Sequence, residues 1–110
     1  MSGSDLFTGT LDLLILESVR DGALHGYAIG RRLREHSSGV LNIEEGALYP
    51  ALHRLKGKGL LEADWGRTDT GRRAKFYAIT KAGRSHLESE SQRWRVYAGA
   101  VSAIIGSSDA

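Results

Sequence analysis

The chain has 110 residues and a mass of 12.0 kDa, one small domain or one domain with an added helical arm, which excludes a cofactor domain beside a separate substrate domain. With 41% hydrophobic residues and one proline it is a folding chain, and the lack of cysteine excludes disulfide frameworks, thiol catalysis and thiolate zinc sites. The net charge is only +2, yet residues 46–81 carry Arg54, Lys56, Lys58, Arg67, Arg72, Arg73, Lys75 and Lys81 against Glu62, Asp64 and Asp69, a +5 middle between flanks of net −3. Such a stretch suits a polyanion-binding surface or an ordinary solvated face.

Leu11, Leu14, Ile15 and Val19 repeat at helical spacing and predict a first helix over Thr8 to Arg20. Thr8 or Thr10 is its expected cap and Asp21-Gly22 its left-handed stop. Leu13 and Leu16 widen the apolar stripe beyond what a three-helix domain needs, hinting at a second subunit. The run Leu13–Leu16 is far too short to span a bilayer, and Asp5 and Asp12 flank it where a signal peptide would carry bases. A cytoplasmic protein is expected.

Gly26 to His36 reads as a second helix with Ile29 and Leu33 inward, ended by Ser37-Ser38-Gly39. A third helix is predicted over Glu44 to Lys58, with Leu48, Ala51, Leu52 and Leu55 inward and Pro50 marking a late start. Leu60 to Trp65 and Lys75 to Thr80 alternate as two hairpin strands, with Leu61, Ala63 and Trp65 sharing a face. The loop between them, residues 66–73, is polar and basic at its far side. Thr80 caps a last helix reaching Ile105, in which Leu87, Trp94 and Val101 stand seven apart with Tyr97 and Ile104 between, a seam suited to another chain or to the first helix.

This order predicts a mainly α fold with a small β-hairpin, the winged helix-turn-helix plan, plus a long C-terminal dimerisation helix. In that plan the third helix enters the major groove and the hairpin loop, the wing, reaches the backbone or minor groove. Projected around the third helix, Tyr49, His53 and Lys56 align on the outward side with Gly46 nearby, and Gly46 and Ala47 keep its leading end thin. On the wing, Arg72, Arg73 and Lys75 suit phosphate or a narrow minor groove. Catalysis has no support. His25, His36, His53 and His86 lack metal-ligand spacing, and there is neither a serine elbow nor a phosphate-cradling glycine loop, so no enzyme, metal or cofactor is expected.

The strings Gly9-Thr10-Leu11-Asp12-Leu13-Leu14-Ile15-Leu16, His25-Gly26-Tyr27-Ala28-Ile29 and Gly46-Ala47-Leu48-Tyr49-Pro50-Ala51-Leu52-His53-Arg54-Leu55, with Gly59-Leu60-Leu61, resemble the PadR family of transcriptional regulators. Arg72-Arg73-Ala74-Lys75-Phe76-Tyr77-Ala78-Ile79-Thr80 and Gly83 are similar to its wing and the start of its last helix, so the resemblance runs from Leu6 to Ile105. Gly57 departs from it, standing where many members carry a charge.

The resemblance implies a homodimeric repressor on a pseudo-palindromic operator, of the short-tailed kind with one C-terminal helix. Residues 6–80 would form the DNA-binding domain and 81–105 the dimerisation helix, with 1–5 and 106–110 as flexible tails. The implied DNA contacts are His25, Gly26 and Tyr27 near the backbone, Gly46, Ala47, Tyr49, His53, Arg54 and Lys56 on the third helix, and Thr70, Arg72, Arg73 and Lys75 on the wing. The implied dimer interface is Leu11, Leu14 and Ile15 with Leu87, Trp94, Tyr97, Val101 and Ile104. Some short-tailed relatives bind planar hydrophobic compounds against a tryptophan of the last helix. Trp94 and Tyr97 are therefore candidate contacts for an aromatic effector, or else simply fill the dimer core. Two other readings stay open: a small-molecule sensor, and a winged helix used only for protein contacts.

Overall fold

The computed structural model describes the backbone of residues 3–106 and the side chains of residues 9–106. Helix α1 (Gly3–Ser18) leads through a two-residue strand β1 (Leu24–His25) to helices α2 (Gly26–His36) and α3 (Glu45–Gly57). Strands β2 (Leu61–Arg67) and β3 (Arg73–Ile79) follow, and then helix α4 (Lys81–Ile105). The sheet is antiparallel in the order β1-β3-β2, with Leu24 opposite Tyr77 and Leu61 opposite Ile79. This is a winged helix-turn-helix followed by one long C-terminal helix.

The core forms where α1, α2, α3 and the inner end of the hairpin meet. Ile15, Leu16, Val19, Ile29, Leu52, Leu55 and Leu61 are fully buried there. Three expected interface residues, Leu11, Ile15 and Leu87, belong to this core instead. Their apolar area is already spent within one chain. Leu14 is half-buried, and Trp94, Tyr97, Val101 and Ile104 are exposed.

Helix α1 starts earlier than predicted, so Thr8 and Thr10 lie inside it rather than capping it. It also stops without a left-handed glycine: the Arg20 and Gly22 amides bond to the carbonyls of Glu17 and Val19 in successive turns. Of the two expected tails, residues 3–5 form the first turn of α1, and residues 1–2 and 107–110 lie outside the described residues. Helix α2 has the predicted limits. After it the Gly39 amide reaches back to the Arg34 carbonyl (2.8 Å) and that of Ser38, at φ 54°, to Glu35, the Schellman pattern. Helix α3 starts one residue before Gly46, so Pro50 sits just past the first turn and costs only the bond to the exposed Gly46 carbonyl.

A second Schellman turn, with Gly59 at φ 76°, ends α3 and joins it to α4. The Thr80 hydroxyl caps α4 by accepting from the Gly83 amide (2.9 Å) and donates to the Gly59 carbonyl (2.7 Å). Gly83 lies so close to this turn that a Cβ there would stand 2.2 Å from the Leu60 carbonyl oxygen. Beyond Leu87 the helix leaves the core.

Candidate nucleic-acid interface

The candidate surface is built around Gly26 and Tyr49. Tyr49, 43% exposed on α3, lays its ring across the first residue of α2, and a Cβ on Gly26 would fall 2.6 Å from its hydroxyl. The closeness therefore requires glycine. Beneath lies Tyr77 of β3, whose phenol is pushed above its ordinary value by burial and, to a lesser extent, by the neighbouring Tyr49. Tyr49, His53, Lys56 and Gly46 are all exposed, and Ala47 is half-buried.

His25 occupies the junction of sheet and helix. Its Nδ1 accepts from the Ala28 amide (3.4 Å) as the N-cap of α2. The ring meets Phe76 edge-on at 5.3 Å and stacks on Tyr27 at 6.4 Å, and Tyr27 in turn carries Arg31 at 5.9 Å. The strand pairing of His25 with Phe76 ties this group to the wing.

The wing is more regular than its sequence suggests. Strand β2 continues through Gly66 and Arg67 and β3 begins at Arg73, so the connecting loop is residues 68–72 instead of 66–73. The loop is built on Thr68, whose amide donates to the Arg72 carbonyl (2.8 Å) and whose hydroxyl accepts from the Arg72 amide (3.2 Å). Arg67 Nη1 donates to the Gly71 carbonyl (2.9 Å), and Thr70 stands with its hydroxyl 3.1 Å from that of Thr68. Arg72, Arg73 and Thr70 are exposed and Lys75 is half-buried.

Two side chains have partners that the sequence did not show. The Arg54 guanidinium is held by both oxygens of the buried Asp12 carboxylate, with Nε at 3.4 Å, and so fastens α3 to α1. Trp65 shares the face of Leu61 and Ala63 as predicted, and is 56% exposed beneath Arg73 and Lys75. Its aromatic surface, Arg67 and Arg31 are the additions to the predicted set. Extending the alternation of β2 by one step, to Arg67, would have shown a cation on the tryptophan's face.

Trp94 and Tyr97 flank an open apolar groove of about 610 Å³ between α1 and α4, also lined by Gly9, Leu13 and Ala100. Among the described residues no group of three or more His, Asp or Glu gathers to hold a metal ion, and no helix is long and apolar enough to cross a membrane.

The family model of PadR-like transcriptional regulators matches residues 15–89, from the core of α1 to the first half of α4. The chain belongs to the PadR-like family. An uncharacterized protein of Lysinibacillus sphaericus is 31% identical over 94 residues, 86% of each chain. A transcriptional regulator of Mycobacterium tuberculosis is 36% identical over 78 residues, 71% of this chain and 69% of that one. The solved structure of a transcriptional regulator from Clostridium thermocellum superposes with a TM-score of 0.83 at 25% identity, over 93% of this chain and 99% of that chain. As a PadR-like protein the chain is a DNA-binding regulator of transcription and not an enzyme.

Proposed function

We propose that this regulator is a homodimeric, cytoplasmic repressor of a pseudo-palindromic operator, with α3 in the major groove and the wing on the backbone or in the minor groove. One observation carries the reading: the exposed Tyr49, His53 and Lys56 of α3 stand on the same small domain as a cationic hairpin, and the short strand β1 ties that hairpin to the start of α2. Tyr49, His53 and the leading end of α3 (Gly46, Ala47) face base edges. Lys56, the His25–Tyr27 group and Thr70, Arg72, Arg73 and Lys75 serve the phosphates. Arg54 acts through its ion pair with Asp12.

Residues 6–80 act as the reading unit and 81–105 as the dimerisation helix. The support for a dimer is the apolar surface left uncovered on the far half of α4, where Trp94, Val96, Tyr97, Val101, Ile104 and Ile105 are all exposed. Selection of bound fragments from genomic DNA, followed by mobility shifts, tests the whole reading. Binding should be sequence-selective, abolished by Tyr49→Ala and weakened by Arg72→Ala with Arg73→Ala, and deletion of the gene should raise transcription from the selected promoter. Unselective binding, or single chains in sedimentation with duplex present, refutes it.

The groove between α1 and α4 favours a second role within the same reading, release from DNA by a small planar apolar ligand seated against Trp94 and Tyr97. Such compounds should quench Trp94 emission and lower operator affinity together; quenching without loss of affinity separates binding from regulation.

A further inference from the structure

We propose that Trp65 is a positioning residue for the wing: its indole holds Arg73 and Lys75 on one face of the hairpin, so that both cations meet the duplex already ordered. The inference rests on the hairpin being a DNA-binding wing.

Along the inner face of the hairpin the cross-strand pairs run Leu61–Ile79, Ala63–Tyr77, Trp65–Lys75 and Arg67–Arg73. The first two pairs pack on the core. At the third the strands overhang it, and the face turns from apolar to aromatic and cationic within one step. Trp65 is therefore too exposed for burial to account for a side chain of its size. What covers it is charge. The Arg73 guanidinium lies 4.4 Å from the ring centroid and the Lys75 ammonium 5.7 Å, both within cation–π range. Neither cation takes part in the ion pairs formed among the described residues, so neither has its charge spent on a carboxylate.

Two consequences follow for binding. Long basic side chains lose rotamer freedom when they dock, and a surface that orders them beforehand reduces that loss. The number of phosphates neutralised, which sets the salt dependence, is fixed by the cations and not by the indole under them. A positioning role thus predicts lower affinity at an unchanged salt slope. An exposed cation–π contact corresponds to about 2–5-fold in affinity per wing, so about 5–30-fold for a duplex held by two wings.

The test compares operator binding of the full chain carrying Trp65→Leu, Trp65→Ala or Trp65→Phe over a range of salt concentrations, each variant's fold checked by circular dichroism and thermal melting. Trp65→Leu keeps an apolar side chain without a π-face and should lose about 5–30-fold with a slope parallel to the parent's. Trp65→Phe restores a ring and should recover most of the loss. Parent-like affinity in Trp65→Leu overturns the proposal. So does a Trp65→Phe as weak as Trp65→Ala, which would mean direct contact of the indole with DNA, or a slope that falls in the Trp65 variants. Arg73→Ala and Lys75→Ala, run alongside, should each weaken binding and lower the slope by about 1 per wing. If both bind like the parent, the wing reading itself fails and this proposal with it. If both weaken while Trp65→Leu does not, only the proposal fails.

Discussion

Gly26→Ala should leave the fold standing and damage the reading surface. The added methyl would stand 2.6–2.8 Å from the hydroxyl, Cε1 and Cζ of Tyr49, where ordinary carbon contact needs about 3.5 Å, so the ring must retreat by about 0.8 Å. A half-exposed side chain can make that retreat by a small tilt, at a cost of about 1 kcal/mol or less. The gain in helix propensity from Gly to Ala, up to about 1 kcal/mol and smaller in the first turn, offsets it. Net stability by urea denaturation should therefore change by less than about 1 kcal/mol. On the proposed docking of Tyr49 against base edges, a hydroxyl displaced by most of an ångström would lose its hydrogen bond there, worth about 1–3 kcal/mol of discrimination, or about 5–150-fold in operator affinity. Titration of labelled operator by fluorescence anisotropy reads this directly. The decisive control is a double-mutant cycle: Gly26→Ala should have almost no further effect once Tyr49 is Ala, because both act through one ring. Full affinity in Gly26→Ala, or independent effects of the two substitutions, would refute the reasoning.

Three more predictions concern the frame behind this surface. Asp12→Ala should cost about 2 kcal/mol in urea denaturation; it strands the Arg54 guanidinium, but the side chain is 35% exposed and water takes up part of the loss. A change under about 0.5 kcal/mol would show the pair to be ornamental. Gly83→Ala should destabilise by about 2 kcal/mol or more, since the obstructing atom is the Leu60 backbone carbonyl and cannot swing aside; a parent-like melting temperature would contradict this. For Tyr77 the raised phenol means that the folded chain holds its proton more tightly than the unfolded one. Its contribution is complete below the ordinary value of 10.0 and is lost as pH rises through and beyond it, so stability should fall more steeply above about pH 10 in the parent than in Tyr77→Phe. Parallel pH curves for the two proteins would overturn this.

Local punctuation made most of the fold legible. The limits of α2, the Thr80 cap and the paired strands all rest on short-range rules that need no knowledge of tertiary contacts. Strand β1 escaped because two residues carry no periodicity; only their pairing to Tyr77 and Phe76 makes them a strand. The partition of apolar residues between core and interface also failed to show. Leu11 and Ile15 lie on the same helix as the half-buried Leu13 and Leu14, and a stripe of leucines does not state which of its members another chain will cover. The ion pair of Arg54 did not show because its partner Asp12 is 42 residues away, and the exposure of Trp65 did not because alternation marks a face without marking where the core beneath it ends.

The anchorage of α4 has a mechanical corollary. Its first turn is clamped to the turn that ends α3 through Thr80 and Gly83, and the stretch beyond Leu87, to Ile105, then projects about 27 Å. With so stiff a root, a change of about 5° in the direction of this rod shifts its tip by about 2 Å, and a tip held still transfers the same rotation back to α3. Whatever grips the outer end of the rod thereby sets the angle at which the tyrosine of α3 is presented.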